Sequence, residues 1–154
     1  GHGETIFDFN TNVPLIINSP DVEKEEVTEQ VRQIDIYPTL LELFDIESSQ
    51  GKSKSLLPIS KISDRKAYIR ACDPDLKKKD NWIKGLRHQK MKYVTYPNRN
   101  WSDELYDLEK DPRELKVIKD EEKKEMMKNN MPDEELQDTK DIEIKEKLEK
   151  LGYN

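Results

Sequence analysis

Trp82-Ile83-Lys84-Gly85-Leu86-Arg87-His88-Gln89-Lys90-Met91-Lys92-Tyr93-Val94-Thr95-Tyr96 decides the fold of the second half of this chain. Two short runs rich in branched and aromatic residues flank His88-Gln89-Lys90, which reads as a tight turn, so the segment is a β-hairpin. Ala67-Tyr68-Ile69-Arg70 before it and Glu104-Leu105-Tyr106-Asp107-Leu108 after it have the same character, and Asp111-Pro112 closes the last run. Together they predict a small antiparallel sheet. Its apolar positions need a helix to cover them, and the later segment with an apolar stripe is the one around Ile142, Ile144, Leu148 and Leu151, stopped by Gly152. From residue 114 onward charge dominates, with 12 acidic and 7 basic residues between Asp120 and Lys150, and Asn129-Asn130-Met131-Pro132 splits the stretch into two helical pieces.

Upstream the character differs. Val13-Pro14-Leu15-Ile16-Ile17, ended by Asn18-Ser19-Pro20, reads as a strand buried on both faces, as in a parallel sheet. Val31, Ile34, Leu40, Leu41 and Phe44 then fall on one helical stripe, with Pro38 in the first turn of a helix that starts near Asp35 or Tyr37. Residues 47–66 form a Ser/Lys-rich connector with one apolar anchor at Leu56-Leu57-Pro58-Ile59. The expected fold is therefore partial α/β: the end of an α/β domain over residues 1–62, then a small antiparallel sheet with C-terminal helices over 63–154.

The 154 residues are 39% charged and 33% hydrophobic, with a net charge of −6. The acidity argues against nucleic acid as a partner. No apolar run approaches the roughly 18 residues of a membrane-spanning helix, so no membrane partner is expected. The single cysteine, Cys72, excludes a disulfide framework and any Cys-based zinc site.

Several segments, in this order, resemble the carboxyl-terminal part of sulfatases, in the alkaline phosphatase superfamily. Gly1-His2-Gly3-Glu4-Thr5-Ile6-Phe7 followed by Val13-Pro14-Leu15-Ile16-Ile17 is similar to the family's HG segment and VPLII strand. Gln33-Ile34-Asp35-Ile36-Tyr37-Pro38-Thr39-Leu40-Leu41 resembles its D-x-x-P-T-L-L helix, and Ser55-Leu56-Leu57-Pro58 its S-L-L-P piece. Leu86-Arg87 with Lys92-Tyr93-Val94, Glu104-Leu105-Tyr106-Asp107-Leu108 with Asp111-Pro112-x-Glu114, and the terminal Leu148-x-x-Leu151-Gly152-Tyr153 complete the match.

The resemblance implies hydrolysis of a sulfate ester, on a small molecule or a glycan, with a divalent cation, calcium, in the intact protein. It also implies that the family's nucleophile and metal ligands lie before Gly1, so the chain alone should bind no cation and turn over no substrate. A phosphodiesterase or phosphonate hydrolase of the same superfamily, or a non-catalytic interaction module, remain as alternatives. His2 is the one candidate catalytic residue, as a contact to the sulfate or leaving-group oxygen. Cys72-Asp73-Pro74 lacks the Arg that follows the family's nucleophile, and Cys72 reads as a small packing residue. Asp35 reads as a helix N-cap, Asp45 as a surface carboxylate, His88 as an exposed turn residue and Lys77-Lys78-Lys79 as a solvated loop. Asp8 joins Asp35 and Asp45 as a carboxylate to be weighed as a metal ligand, though none has the spacing of a calcium loop. Arg87 and Lys92, facing each other across the hairpin, are expected to pair with Asp103 or Asp107. With no flanking strand in the chain, residues 13–17 are also expected to expose an apolar patch and promote self-association.

Overall fold

The computed structural model describes residues 5–47, 51–71, 82–97 and 99–132. Strands β1 (Ala67–Ala71), β2 (Ile83–His88), β3 (Met91–Thr95) and β4 (Glu104–Asp107) form one antiparallel meander in the order β1-β2-β3-β4. The β2–β3 register pairs His88 with Met91 and Leu86 with Tyr93, so the turn is Gln89-Lys90 alone. Both have positive φ (49° and 58°), as a two-residue turn matched to strand twist requires. His88 is thus the last residue of β2 and half-buried, not an exposed turn residue, with Nε2 3.6 Å from Asp64 Oδ2.

The pleat sorts the side chains onto two buried faces. On one, Ala71, Val94, Tyr96, Tyr106 and Leu108 surround Ile6, with Phe7, Ile69 and Ile83 at the margin. Gly85 makes this possible: a Cβ there would lie 2.4 Å from Ile6 Cδ1, so the bare backbone is the seat for the isoleucine. The short helix α1 (Asp8–Thr11) continues from that plug. On the other face, Leu86, Tyr93 and Leu105 meet Met127 of α3 (Glu121–Asn129), flanked by Met91, Ile118 and Met131. Asp120 starts α3 by accepting the Lys123 N–H at 3.0 Å, and Ile118 N–H donates to Leu105 C=O at 2.8 Å along the outer edge of β4.

Helix α2 (Ile36–Leu43) follows a 3₁₀ turn at Gln33–Asp35, with Pro38 in its first turn as expected. It ends in a Schellman arrangement: Asp45 N–H donates to Glu42 C=O, Ile46 N–H to Leu41 C=O, and Asp45 has φ 54°. The buried side of α2 is Thr39 and Pro38, not the apolar stripe. Ile34, Tyr37, Leu40 and Phe44 are 52, 68, 47 and 71% exposed.

One reading needs correction. Residues 13–17 belong to no helix or strand, and Val13 and Ile16 are 72% and 88% exposed. A strand exists only through hydrogen bonds to a neighbour, and the described residues supply none beside it. Among the described residues the helix packed on the sheet is α3; the segment around Leu148, with Ile142, Ile144 and Leu151, lies outside the described residues. One deeply buried methionine is enough to dock a helix that otherwise reads as charged.

Truncating either plug should cost what a core cavity costs. Ile6→Ala and Met127→Ala are each expected to lower stability by about 2–4 kcal/mol, and the double variant by about their sum, since they pack on opposite faces. Denaturant unfolding of the four proteins checks both statements.

Candidate functional site

The strongest concentration of charge lies beneath the Ile6 face. Lys92, on β3, is fully buried; its ammonium donates to Ile6 C=O at 3.0 Å and to Asp8 Oδ1, and forms an ion pair with Glu114 Oε1 at 2.7 Å. Asp8 N–H donates to Glu114 Oε2 at 2.5 Å, and Arg87 Nη2 lies 3.3 Å from Asp8 Oδ2. Two cations thus meet two carboxylates in one cluster, with Arg87 Nη1 also bonded to Gln30 Oε1. Glu114 reaches inward because a tight turn presents it: Asp111 Oδ2 accepts the N–H groups of Leu115 and Lys116 at 2.7 and 2.8 Å, and Glu114 has φ 55°.

Arg87 and Lys92 are opposite each other in the β2–β3 ladder as expected, but their counter-ions are not Asp103 or Asp107. Asp103 accepts the Tyr93 hydroxyl at 2.6 Å, and Asp107 pairs with Lys110 at 3.1 Å. The real partners, Asp8 and Glu114, sit 84 residues before Lys92 (Asp8) and in the loop after β4 (Glu114), separations that no local pattern reveals.

A second polar hub is Asp35, also fully buried. Its carboxylate accepts from Arg32 Nε and Nη2 at 2.9 and 2.7 Å and from Lys54 N–H at 2.9 Å, and Arg65 Nη1 lies 2.8 Å away. Asp35 occupies the N-cap position of α2, but its side chain binds the connector rather than capping the helix. Thr39 Oγ1 donates to Asp35 C=O and accepts Leu56 N–H at 2.9 Å, which explains the local P-T-L-L and S-L-L-P pieces as two halves of one contact. Burial pushes the Asp35 carboxyl up, but hydrogen bonds from Arg32, Lys54 N–H and Arg65 outweigh it and hold it below the usual carboxylate range.

A third cluster joins tyrosines to one acid. Tyr96 and Tyr106 hydroxyls both donate to Glu104 Oε2, at 2.6 and 2.8 Å. Burial first, and the Glu104 carboxylate second, push both phenols above their usual range.

His2, Cys72 and residues 77–79 lie outside the described residues. Among the described residues, no group of three or more His, Cys, Asp or Glu side chains is placed to hold a metal ion. Asp8 and Asp35 are consumed by ion pairs, and Asp45 is an exposed helix end. Among the described residues, no helix is long and apolar enough to cross a membrane.

The α2–connector unit is thus clamped to a two-faced antiparallel meander. Residues 4–141 match the family described as N-sulphoglucosamine sulphohydrolase, C-terminal, and the chain belongs to that C-terminal sulfatase family. It is 32% identical to arylsulfatase K of Danio rerio over 74% of this chain, and 30% identical to that of Gallus gallus over 72%. It is 28% identical to the uncharacterized sulfatase YidJ of Escherichia coli (strain K12) over 73%. The chain spans 23% of the length of each of these relatives. A solved structure of a protein in complex with its substrate, D-glucosamine-2-N,6-O-disulfate, superposes with a TM-score of 0.46 at 24% identity, over 65% of this chain and 25% of that one.

The Asp35 hub carries a pH signature. A depressed folded-state pKa contributes stability that is present above the unfolded value of about 3.9 and is lost as pH falls through the folded value. Asp35→Asn should cost about 3 kcal/mol at neutral pH, because Arg32 and Arg65 lose their counter-charge, and should flatten the loss of stability below about pH 4. Melting temperatures of both proteins from pH 7 to pH 2 test the sign.

Proposed function

We propose that this chain is the C-terminal portion of a sulfuric-ester hydrolase whose substrate is a sulfated small molecule or glycan. The observation that carries the reading is the family match across residues 4–141. In this reading residues 1–62 complete a large α/β domain, residues 63–154 form the small subdomain, and the nucleophile and calcium ligands lie outside the described residues. His2 would stand near the sulfate, at the start of the segment that Ile6 and Lys92 tie to the sheet. The exposed side chains of residues 13–16 and of α2 support the first part of this division, since apolar side chains left this open want a cover.

The chain alone, assayed with an aryl sulfate and calcium, is expected to give no turnover, and a longer polypeptide containing it to hydrolyse the ester. Turnover by the chain alone that disappears in Cys72→Ala would overturn the division of labour. A longer polypeptide that cleaves an aryl phosphodiester and leaves the sulfate untouched would overturn the sulfatase reading. The chain alone is also expected to self-associate through residues 13–17, so Ile16→Lys should shift light scattering toward monomer.

A further inference from the structure

The connection between β3 and β4, residues 96–103, carries a triplet that none of the polar clusters uses. Asn100-Trp101-Ser102 has the form N-x-S with x other than proline. Of the nine asparagines in the chain, Asn100 alone stands in such a triplet. Asn18-Ser19-Pro20 fails because proline occupies the place where the hydroxyl is needed.

A three-residue pattern arises easily by chance, so its placement decides. The loop is tied down at both ends. On one side the Tyr96 hydroxyl donates to Glu104 Oε2 at 2.6 Å, and Arg99 N–H donates to Tyr96 C=O at 3.2 Å. On the other, the Tyr93 hydroxyl donates to Asp103 Oδ2 at 2.6 Å. Between these ties the triplet lies outside any helix or strand, and all three of its residues are exposed. Trp101 meets Tyr96 edge-on with ring centroids 5.1 Å apart, so the middle residue is mounted on the sheet while Asn100 and Ser102 flank it in solvent.

Each position has a chemical task. A carboxamide nitrogen is a weak nucleophile because its lone pair is delocalised into the C=O, so a transferase must reach it from all sides. A hydroxyl two residues on gives that enzyme a second polar handle. Proline between them would fix φ and remove an N–H, and tryptophan does neither. A bulky hydrophilic group is accommodated only on a surface loop, where attaching it displaces no packed neighbour. The 59% exposed indole also offers an apolar face to the C–H groups of a first sugar.

We propose that Asn100 is an attachment site for an N-linked oligosaccharide, presented by the β3–β4 loop of the folded protein. In the transfer, Asn100 Nδ2 bonds to the anomeric carbon of a polyprenyl-diphosphate-linked oligosaccharide. The bond from that carbon to the diphosphate oxygen breaks, the lipid diphosphate leaves, and one amide proton passes to the transferase. The assignment draws nothing from the sulfuric-ester reading, because the saccharide here is a modification and not a substrate.

The test uses the folded longer polypeptide, an oligosaccharyltransferase and that lipid-linked donor. The tryptic peptide of residues 100–110, cut after Arg99 and Lys110, should gain the mass of one oligosaccharide. The gain should vanish in Asn100→Gln and in Ser102→Ala and persist in Ser102→Thr. Both side chains are exposed, so all three variants should keep the parent melting temperature, which separates loss of the acceptor from loss of the fold. A peptide 100–110 left unmodified in the folded protein would overturn the proposal, even if the denatured protein accepts the sugar. So would a mass gain retained in Asn100→Gln or in Ser102→Ala.

Discussion

A buried ammonium organises this fold. Lys92, the second residue of β3, has no exposure to solvent, and such a charge is tolerable only where opposite charge and hydrogen-bond acceptors meet it. Three separate stretches of chain meet it: the carbonyl of Ile6, the carboxylate of Asp8 and the carboxylate of Glu114. The N-terminal segment, the central hairpin and the turn after β4 are thereby fixed to one point. Ile6 can plug the hollow over Gly85 because its own carbonyl is held there, and Phe7 can reach Tyr106 for the same reason. Apolar packing supplies most of the stabilisation of this face, but the ammonium decides which segment packs.

Asp35 plays the corresponding part for the first half. Its two arginine partners also reach the connector and the start of β1: Arg32 donates to the carbonyls of Lys52 and Lys66, and Arg65 to those of Lys54 and Ser55. Gln30 adds a bridge from the segment before α2 to Arg87 C=O on β2. Helix α2 is therefore attached by polar contacts on one side while its apolar side faces outward. That inversion is unusual for an isolated domain and natural for an element with a second neighbour.

The strands were legible in the sequence because alternation and β-branched content report directly on a pleated surface. Their partners across the molecule were not. Lys92 reads as an ordinary polar strand residue until Asp8 and Glu114 are folded onto it. The D-P-x-E ending acquires its physical meaning only then, with Asp111 shaping the turn and Glu114 delivering the charge. Helix α3 escaped notice as the cover because one deep contact, Met127, outweighs eight mostly charged neighbours. Residues 13–17 misled in the opposite sense. Their composition describes a strand inside a sheet, and a segment cannot display that preference without a partner. Of the site, His2 came from resemblance, and it lies outside the described residues.

The Asp8–Glu114 hydrogen bond joins residues 106 apart in the chain. At ribosomal rates of about 5–20 residues per second, the leading segment waits about 5–20 s for its last counter-charge to be synthesised. Asp8 N–H spends that interval without its final partner. The N-terminal segment therefore gains its full set of contacts only after the turn following β4 has been made, and the order of synthesis makes its docking a late event.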